Sequence, residues 1–253
     1  MNIYETEKLL AEYLLFHYGA MAEVLPHAVG PSSALEYPAR CVSECVNTGW
    51  LRAHSRALDI GCAVGRSTFE LARYCGEVIG IDFSHRFIDA ARTLKKQGWL
   101  DYRRTEEGTL TSPCRADVPA ELDRSRAHFE TGDAMNLRSD LGVFDVVLMA
   151  NLIDRLVSPR HCLAQLAHLV KPNGQLVITS PYTWLEEFTP HAKWLGGYSK
   201  DEEERVETFA TLESLLEPDF ALVRTRDLPF LIREHRRKFQ WSVAHASVWR
   251  RLE

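Results

Sequence analysis

The chain has 253 residues, with 30 Lys and Arg against 35 Asp and Glu, a formal charge of −5, and 45% of its residues are hydrophobic. That much apolar side chain can build a core without disulfides or metal, and the acidic balance argues against a duplex nucleic-acid binder, which must neutralise phosphates. No stretch approaches the roughly 18 apolar residues of a membrane span, and the first residues mix acids with apolar side chains instead of following a signal-peptide pattern, so a cytoplasmic protein is expected.

Residues 3–18 place Leu9, Leu10, Tyr13, Leu14 and Phe16 to Tyr18 near a 3.6-residue period, which predicts an amphipathic helix ending at Gly19. A segment with Pro26, Gly30 and Pro31 follows, then a helix over residues 38–47, closed by Asn47-Thr48-Gly49. Cys41 and Cys45 are four apart and share a helix face, where packing is the simpler reading. The six cysteines form no CxxC and the ten histidines no HExxH, so neither a disulfide nor a metal site is expected.

From Arg56 the chain becomes regular. The apolar run Ala57-Leu58-Asp59-Ile60 breaks into Gly61-Cys62-Ala63-Val64-Gly65 before a helical pattern over 67–74. A second strand (77–81) ends at Asp82, a helix spans 85–97, a short third strand (127–130) ends in Thr131-Gly132-Asp133, and a fourth covers 144–149. A helix over 159–170, the turn Lys171-Pro172-Asn173-Gly174 and a fifth strand over 175–179 complete the series. Apolar strands alternating with helices belong to a parallel sheet covered on both faces, hence an α/β doubly wound, Rossmann-like fold. Two later strands (220–226 and 241–250), with no crossover helix expected between them, predict an antiparallel pair closing the edge of a seven-stranded, mostly parallel sheet.

One domain, 1–253, is expected. It divides into an N-terminal helical cap (1–50), a cofactor-binding core (56–180), a substrate loop region (181–219) and the C-terminal strands (220–253). The core carries a charged insertion at 99–126, read as a surface excursion or hairpin. Residues 182–206 bring Trp184, Trp194 and Tyr198 beside Glu186, Glu187 and the acidic run Asp201 to Glu204, beyond a strand end where such folds bind ligands.

The loop Asp59-x-Gly61-x-x-x-Gly65 lets backbone approach a ligand closely. It lacks the third glycine of a dinucleotide fingerprint, and Asp59 suits an ammonium better than a diphosphate, which favours an amino-acid-bearing cofactor over NAD. Asp82, with Phe83 beside it, can accept from both hydroxyls of a ribose. Asp133 can receive an adenine amino group, with the backbone amide of Ala134 next to it.

Leu58-Asp59-Ile60-Gly61-Cys62-Ala63-Val64-Gly65, Val78-Ile79-Gly80-Ile81-Asp82, Gly132-Asp133-Ala134 and Val170-Lys171-Pro172-Asn173-Gly174-Gln175-Leu176 resemble the successive motifs of class I S-adenosylmethionine-dependent methyltransferases, with Ala63 where the family has its middle glycine. Beyond the core, four further stretches are similar to the mercaptohistidine (5-thiohistidine) N-methyltransferases of ovothiol biosynthesis, in their stand-alone form. They are Tyr4-Glu5-Thr6 with Glu12-Tyr13-Leu14-Leu15-Phe16-His17-Tyr18-Gly19, Ala150-Asn151-Leu152-Ile153-Asp154-Arg155-Leu156, Pro181-Tyr182-Thr183-Trp184-Leu185-Glu186-Glu187-Phe188-Thr189-Pro190 and Arg237-Lys238-Phe239-Gln240-Trp241. The resemblance implies methylation of the π nitrogen of 5-thiohistidine, with S-adenosylhomocysteine as the second product and a functional link to a thiohistidine-forming sulfoxide synthase.

Methyl transfer from a sulfonium is an in-line displacement that rests on proximity and orientation. Because a ring thiolate is the better nucleophile, the enzyme must aim nitrogen at the methyl and hold sulfur away. Tyr182, Trp184 and Trp241 are candidates to sandwich the imidazole, and Asn151 or Tyr182 to fix its tautomer. Arg155 is the candidate for the substrate carboxylate, and Glu187 or Asp154 for its ammonium. Arg40 is the candidate for the cofactor carboxylate, with Tyr18 or His17 closing over it, and Asn151 joins the cofactor set. The alternatives are a methyltransferase for another small molecule or a protein histidine, a non-catalytic cofactor-binding partner of a synthase, and an NAD-dependent oxidoreductase.

Overall fold

The computed structural model describes residues 3–200 and 204–253, so Asp201, Glu202 and Glu203 of the acidic run lie outside the described residues. After a short 3-10 turn (Ile3–Glu5) come α1 (Glu7–Tyr18), α2 (Met21–Val24) and α3 (Tyr37–Ser43). The core follows as β1 (Arg56–Ile60), α4 (Arg66–Leu71), β2 (Glu77–Asp82) and α5 (His85–Gln97). Next are β3 (Trp99–Glu107), β4 (Leu110–Asp117), β5 (Ala127–Thr131) and β6 (Phe144–Ala150). The chain continues through α6 (Pro159–Leu163), α7 (Leu166–Leu169), β7 (Val170–Ser180), β8 (Tyr198–Ser199) and β9 (Arg205–Val206). It ends with α8 (Thr208–Leu216), β10 (Phe220–His235) and β11 (Lys238–Arg251).

Seven strands form one sheet in the order β10-β11-β7-β6-β1-β2-β5. The five central strands pair in parallel, while β11 runs antiparallel between β7 and β10. Alternate strand residues serve opposite faces: Leu58 and Ile60 enter a cluster with Leu163, Leu166 and Leu212 of α6 to α8, whereas Ala57 joins Cys41 and Val42 of α3. Helix α5 shows how local chemistry sets an element. The Ser84 hydroxyl caps it by accepting from Phe87 N, Gly98 ends it in the left-handed region, and Phe87, Ile88, Ala91 and Leu94 form its buried stripe. No helix among the described residues is long and apolar enough to cross a membrane.

The differences from sequence expectation are local. The helix expected over 159–170 is two short ones, α6 and α7. The turn Lys171-Pro172-Asn173-Gly174 is embedded in β7: Phe144 pairs with Val170 and Val146 with Gln175, so those four residues bulge out of a ladder to which a proline cannot donate. Thr208, Leu212 and Leu216, spaced by four, are the buried face of α8, within the segment expected to be loop. Residues 99–117 are a β-hairpin clamped to the body, with Tyr102 and Ala116 packed with Leu14 and Leu15 of α1. The Arg233 guanidinium on β10 also meets Glu106 at 2.5 Å. Cys41 and Cys45 are free and fully buried, with Cys45 just beyond the end of α3.

Candidate functional site

A cavity of about 560 Å³ opens at the carboxyl ends of β1, β2, β5 and β6. In open α/β sheets ligands bind at this edge, and pockets for small molecules have this size. Its floor is the loop after β1. Gly61 N and Cys62 N donate to Ile81 O at 2.8 and 3.0 Å, folding the loop toward β2, and Gly61 takes φ 77°. A Cβ at Gly61 would stand 2.9 Å from Leu152 Cδ1. Ala63 takes a left-handed backbone at φ 47°, and its N–H donates to Asp82 Oδ2 at 2.9 Å. The Asp82 Oδ1 accepts from Ser84 N, so each oxygen retains a lone pair for a ligand hydroxyl. Burial pushes the Asp82 carboxyl up to about 6. Phe83, Asp133, Ala134 and Met135 continue this wall, and Asp133 Oδ1 accepts from Met135 N, leaving its other oxygen for an amino group. The glycine cradle and the two carboxylates fit an adenosyl group carrying an amino-acid tail.

The opposite wall is aromatic: Tyr4, Tyr13, Phe16, His17, Phe87 and Phe188. Tyr13 lies 4.7 Å from Phe87 and 5.9 Å from His17, and Tyr4 meets Tyr13, Phe87 and Phe188 at 6.0–6.3 Å. His17 is 9% exposed, its Nδ1 has no partner, and burial with the nearby Arg66 charge lowers it to about 3, so the ring is neutral. Arg155 is the cation on the wall. Its Nη1 donates to Asp154 Oδ2 at 3.1 Å and to Thr183 O at 2.9 Å, its guanidinium sits 5.0 Å from the Phe188 ring centre, and Tyr4 hydrogen-bonds to it. Glu187 and Asn151 also line the cavity.

Eight of the residues singled out from sequence are not on this wall. Asp59 is 0% exposed beneath the loop, where Oδ2 accepts from Ser67 and Thr68 hydroxyls at 2.7 Å, Oδ1 has no partner and burial raises the carboxyl to about 6. It shapes the loop instead of meeting an ammonium. Gly65, at φ 89°, starts α4 against Phe129. The Tyr18 hydroxyl donates to Val64 O at 2.8 Å, bracing the loop from behind. Arg40 is committed to Glu44 at 2.6 Å and to Pro229 O at 2.9 Å. Asp154 is buried and orients Arg155 and Thr183 N. Tyr182, at φ 54°, directs its hydroxyl to His245 Nδ1 at 2.8 Å. Trp184 is core, donating to Thr208 Oγ1 at 2.8 Å. Trp241 is 57% exposed on β11. Tyr182, Trp184 and Trp241, expected to sandwich an imidazole, therefore do not line this cavity; its aromatic wall is built by Tyr4, Tyr13, Phe16 and Phe188, whose signal was the aromatic density of the first 18 residues and of the stretch around Phe188.

Residues 58–178 match a family model described as a methyltransferase domain. The O-methyltransferase cnsE of Penicillium expansum is 29% identical over 122 residues, which are 48% of this chain and 36% of that protein. A ubiquinone biosynthesis O-methyltransferase of Burkholderia lata is 31% identical over 134 residues, 51% of this chain and 47% of that protein. The chain spans less than half the length of both relatives. A solved S-adenosylmethionine-dependent methyltransferase of Methanosarcina mazei has the same fold, with a TM-score of 0.54 at 18% identity over 81% of this chain and 95% of its own. Residues 58–178 are thus similar to a methyltransferase domain, and the chain shares the fold of the solved neighbour.

Proposed function

We propose that the chain is an N-methyltransferase acting on the imidazole π nitrogen of 5-thiohistidine, the last step of ovothiol A biosynthesis, downstream of a thiohistidine-forming sulfoxide synthase. The observation that carries the reading is one cavity with two unlike walls, the carboxylates and glycine loop on one side and an aromatic wall holding Arg155 on the other. S-adenosylmethionine supplies an electrophilic methyl group on a sulfonium and leaves as S-adenosylhomocysteine. Gly61, Asp82, Phe83, Asp133 and Ala134 would hold it. Tyr4, Tyr13, Phe16 and Phe188 offer ring faces to a planar heterocycle. Arg155, preset by Asp154 and the Thr183 carbonyl, pairs with the α-carboxylate, and Glu187 pairs with the α-ammonium. With the His17 ring neutral, Arg155 is the one cation among the described residues that line the cavity.

Purified protein incubated with S-adenosylmethionine and either 5-thiohistidine or histidine tests the reading, with products identified by mass spectrometry and NMR. N-methyl thiohistidine, with no product from histidine, is expected. No product from either, with cofactor binding intact, would refute it. A second reading, O-methylation of a phenolic small molecule, is favoured by the aromatic wall and by the activities named for the two curated relatives. A phenol panel in the same assay separates the two.

A further inference from the structure

Asn151 follows β6 at φ 52°, in the left-handed region that asparagine tolerates. Its side chain touches two buried hydroxyls, those of Tyr37 (2% exposed) and Thr179 (0%). Tyr37 Oη lies 2.7 Å from Asn151 Oδ1 and 2.6 Å from Thr179 Oγ1, and Thr179 Oγ1 lies 3.2 Å from both Asn151 Oδ1 and Asn151 N. These contacts fix which end of the amide faces the hydroxyls. With oxygen there, Tyr37 donates to Oδ1, Thr179 Oγ1 donates to Tyr37, and the backbone N–H of Asn151 donates to the Thr179 carbonyl at 2.9 Å, with Thr179 Oγ1 as a longer second acceptor. Every proton then has an acceptor. With the amide reversed, NH2 takes that place, and two hydroxyl protons share one good acceptor, which strands a buried donor. The Cys41 sulfur beside Tyr37 is only a weak acceptor and leaves the reversed arrangement the poorer one.

We infer that Asn151 presents only N–H donors to the cavity, so the substrate group it meets is an unprotonated hydrogen-bond acceptor. This rests on the thiohistidine reading, under which that group is the ring thiolate. The geometry then answers the chemical problem of that substrate. A donor engaged on sulfur ties up the stronger nucleophile, while the ring nitrogen keeps its lone pair.

The test is a calorimetric titration of 5-thiohistidine into protein saturated with S-adenosylhomocysteine, at a pH where the thiol is ionised. Saturation is verified separately for wild type, Asn151→Gly and Asn151→Asp. Glycine suits the positive φ and removes the donor, while aspartate keeps the oxygen facing Tyr37 and turns the donor into an anionic acceptor. Binding weakened about 10-fold or more in the glycine variant, and further in the aspartate variant, is expected for loss of a charge-assisted hydrogen bond. Aspartate binding as tightly as asparagine would overturn the inference and leave the thiohistidine reading standing. Absence of binding by wild type would overturn the reading and, with it, the thiolate assigned here.

Discussion

Gly65→Ala is the perturbation whose cost can be worked out from the structure most directly. Gly65 sits at φ 89°, where a Cβ costs about 1–2 kcal/mol. That Cβ would stand 2.6 and 2.7 Å from Phe129 Cε1 and Cζ and 3.3 Å from Ala91 Cβ. The Phe129 ring is buried and packs edge-on against Phe69 at 5.2 Å, so it cannot swing away freely. Overpacking of this kind adds about 1–3 kcal/mol. The total is about 2–5 kcal/mol, a large share of a typical domain's stability, and corresponds to a Tm lower by about 4–20 °C for a chain of this size. Gly108→Ala is the internal control. Gly108 also has positive φ, 55°, but nothing lies within 4 Å of its Cβ position, so only the backbone cost remains. Thermal unfolding followed by circular dichroism, with urea titration as a second measure, should show Gly65→Ala losing at least about twice the stability lost by Gly108→Ala. Equal losses would refute the packing argument. Adding Phe129→Leu to Gly65→Ala should make the two substitutions non-additive.

Asp82→Asn sets an amide NH2 against the N–H of Ala63 or Ser84, since both carboxylate oxygens already accept from backbone. S-adenosylhomocysteine affinity by calorimetry should fall about 10–100-fold, and a change under 3-fold would contradict the assigned role. Asp59 and Asp82 are both raised to about 6 by burial, whereas an unfolded aspartate titrates near 3.9. Their contribution favours the fold while they are protonated, is fully present below about pH 4, and is lost as pH rises through about 6. For the fully buried Asp59 this amounts to about 3 kcal/mol, and for Asp82, which faces the cavity, to less. Urea titrations from pH 4 to 7 should show Asp59→Asn flattening that part of the wild-type profile, and an unchanged slope would count against it. Trp241→Ala should leave kcat/KM within about 2-fold and stability within about 0.5 kcal/mol, because the ring is exposed and off the cavity wall. Arg155→Ala should instead raise the substrate KM about 10-fold or more with less effect on cofactor affinity.

Elements whose pattern is local were legible from the amino acids. Short apolar runs marked β1, β2, β5, β6 and β7, and the helix expected over 85–97 coincides with α5, because the forces that form these elements act within a few residues. The same reasoning put Gly61, Asp82 and Asp133 at or just beyond strand ends, and these residues line the cavity, since the topology of a doubly wound sheet brings those ends together. Side-chain direction was decided elsewhere. Asp59 and Asp82 look alike in sequence, yet Ser67 and Thr68 draw one beneath the loop while Ala63 and Ser84 hold the other at the cavity. Arg40 and Tyr182 have the right chemistry for ligands, but Glu44 and His245, one near in sequence and one 63 residues away, claim them. The aromatic wall is assembled from segments as distant as Tyr4, Phe87 and Phe188. Periodicity told which residues are buried or exposed, whereas which buried group faces a ligand and which faces another side chain depends on partners that only the folded chain brings into contact.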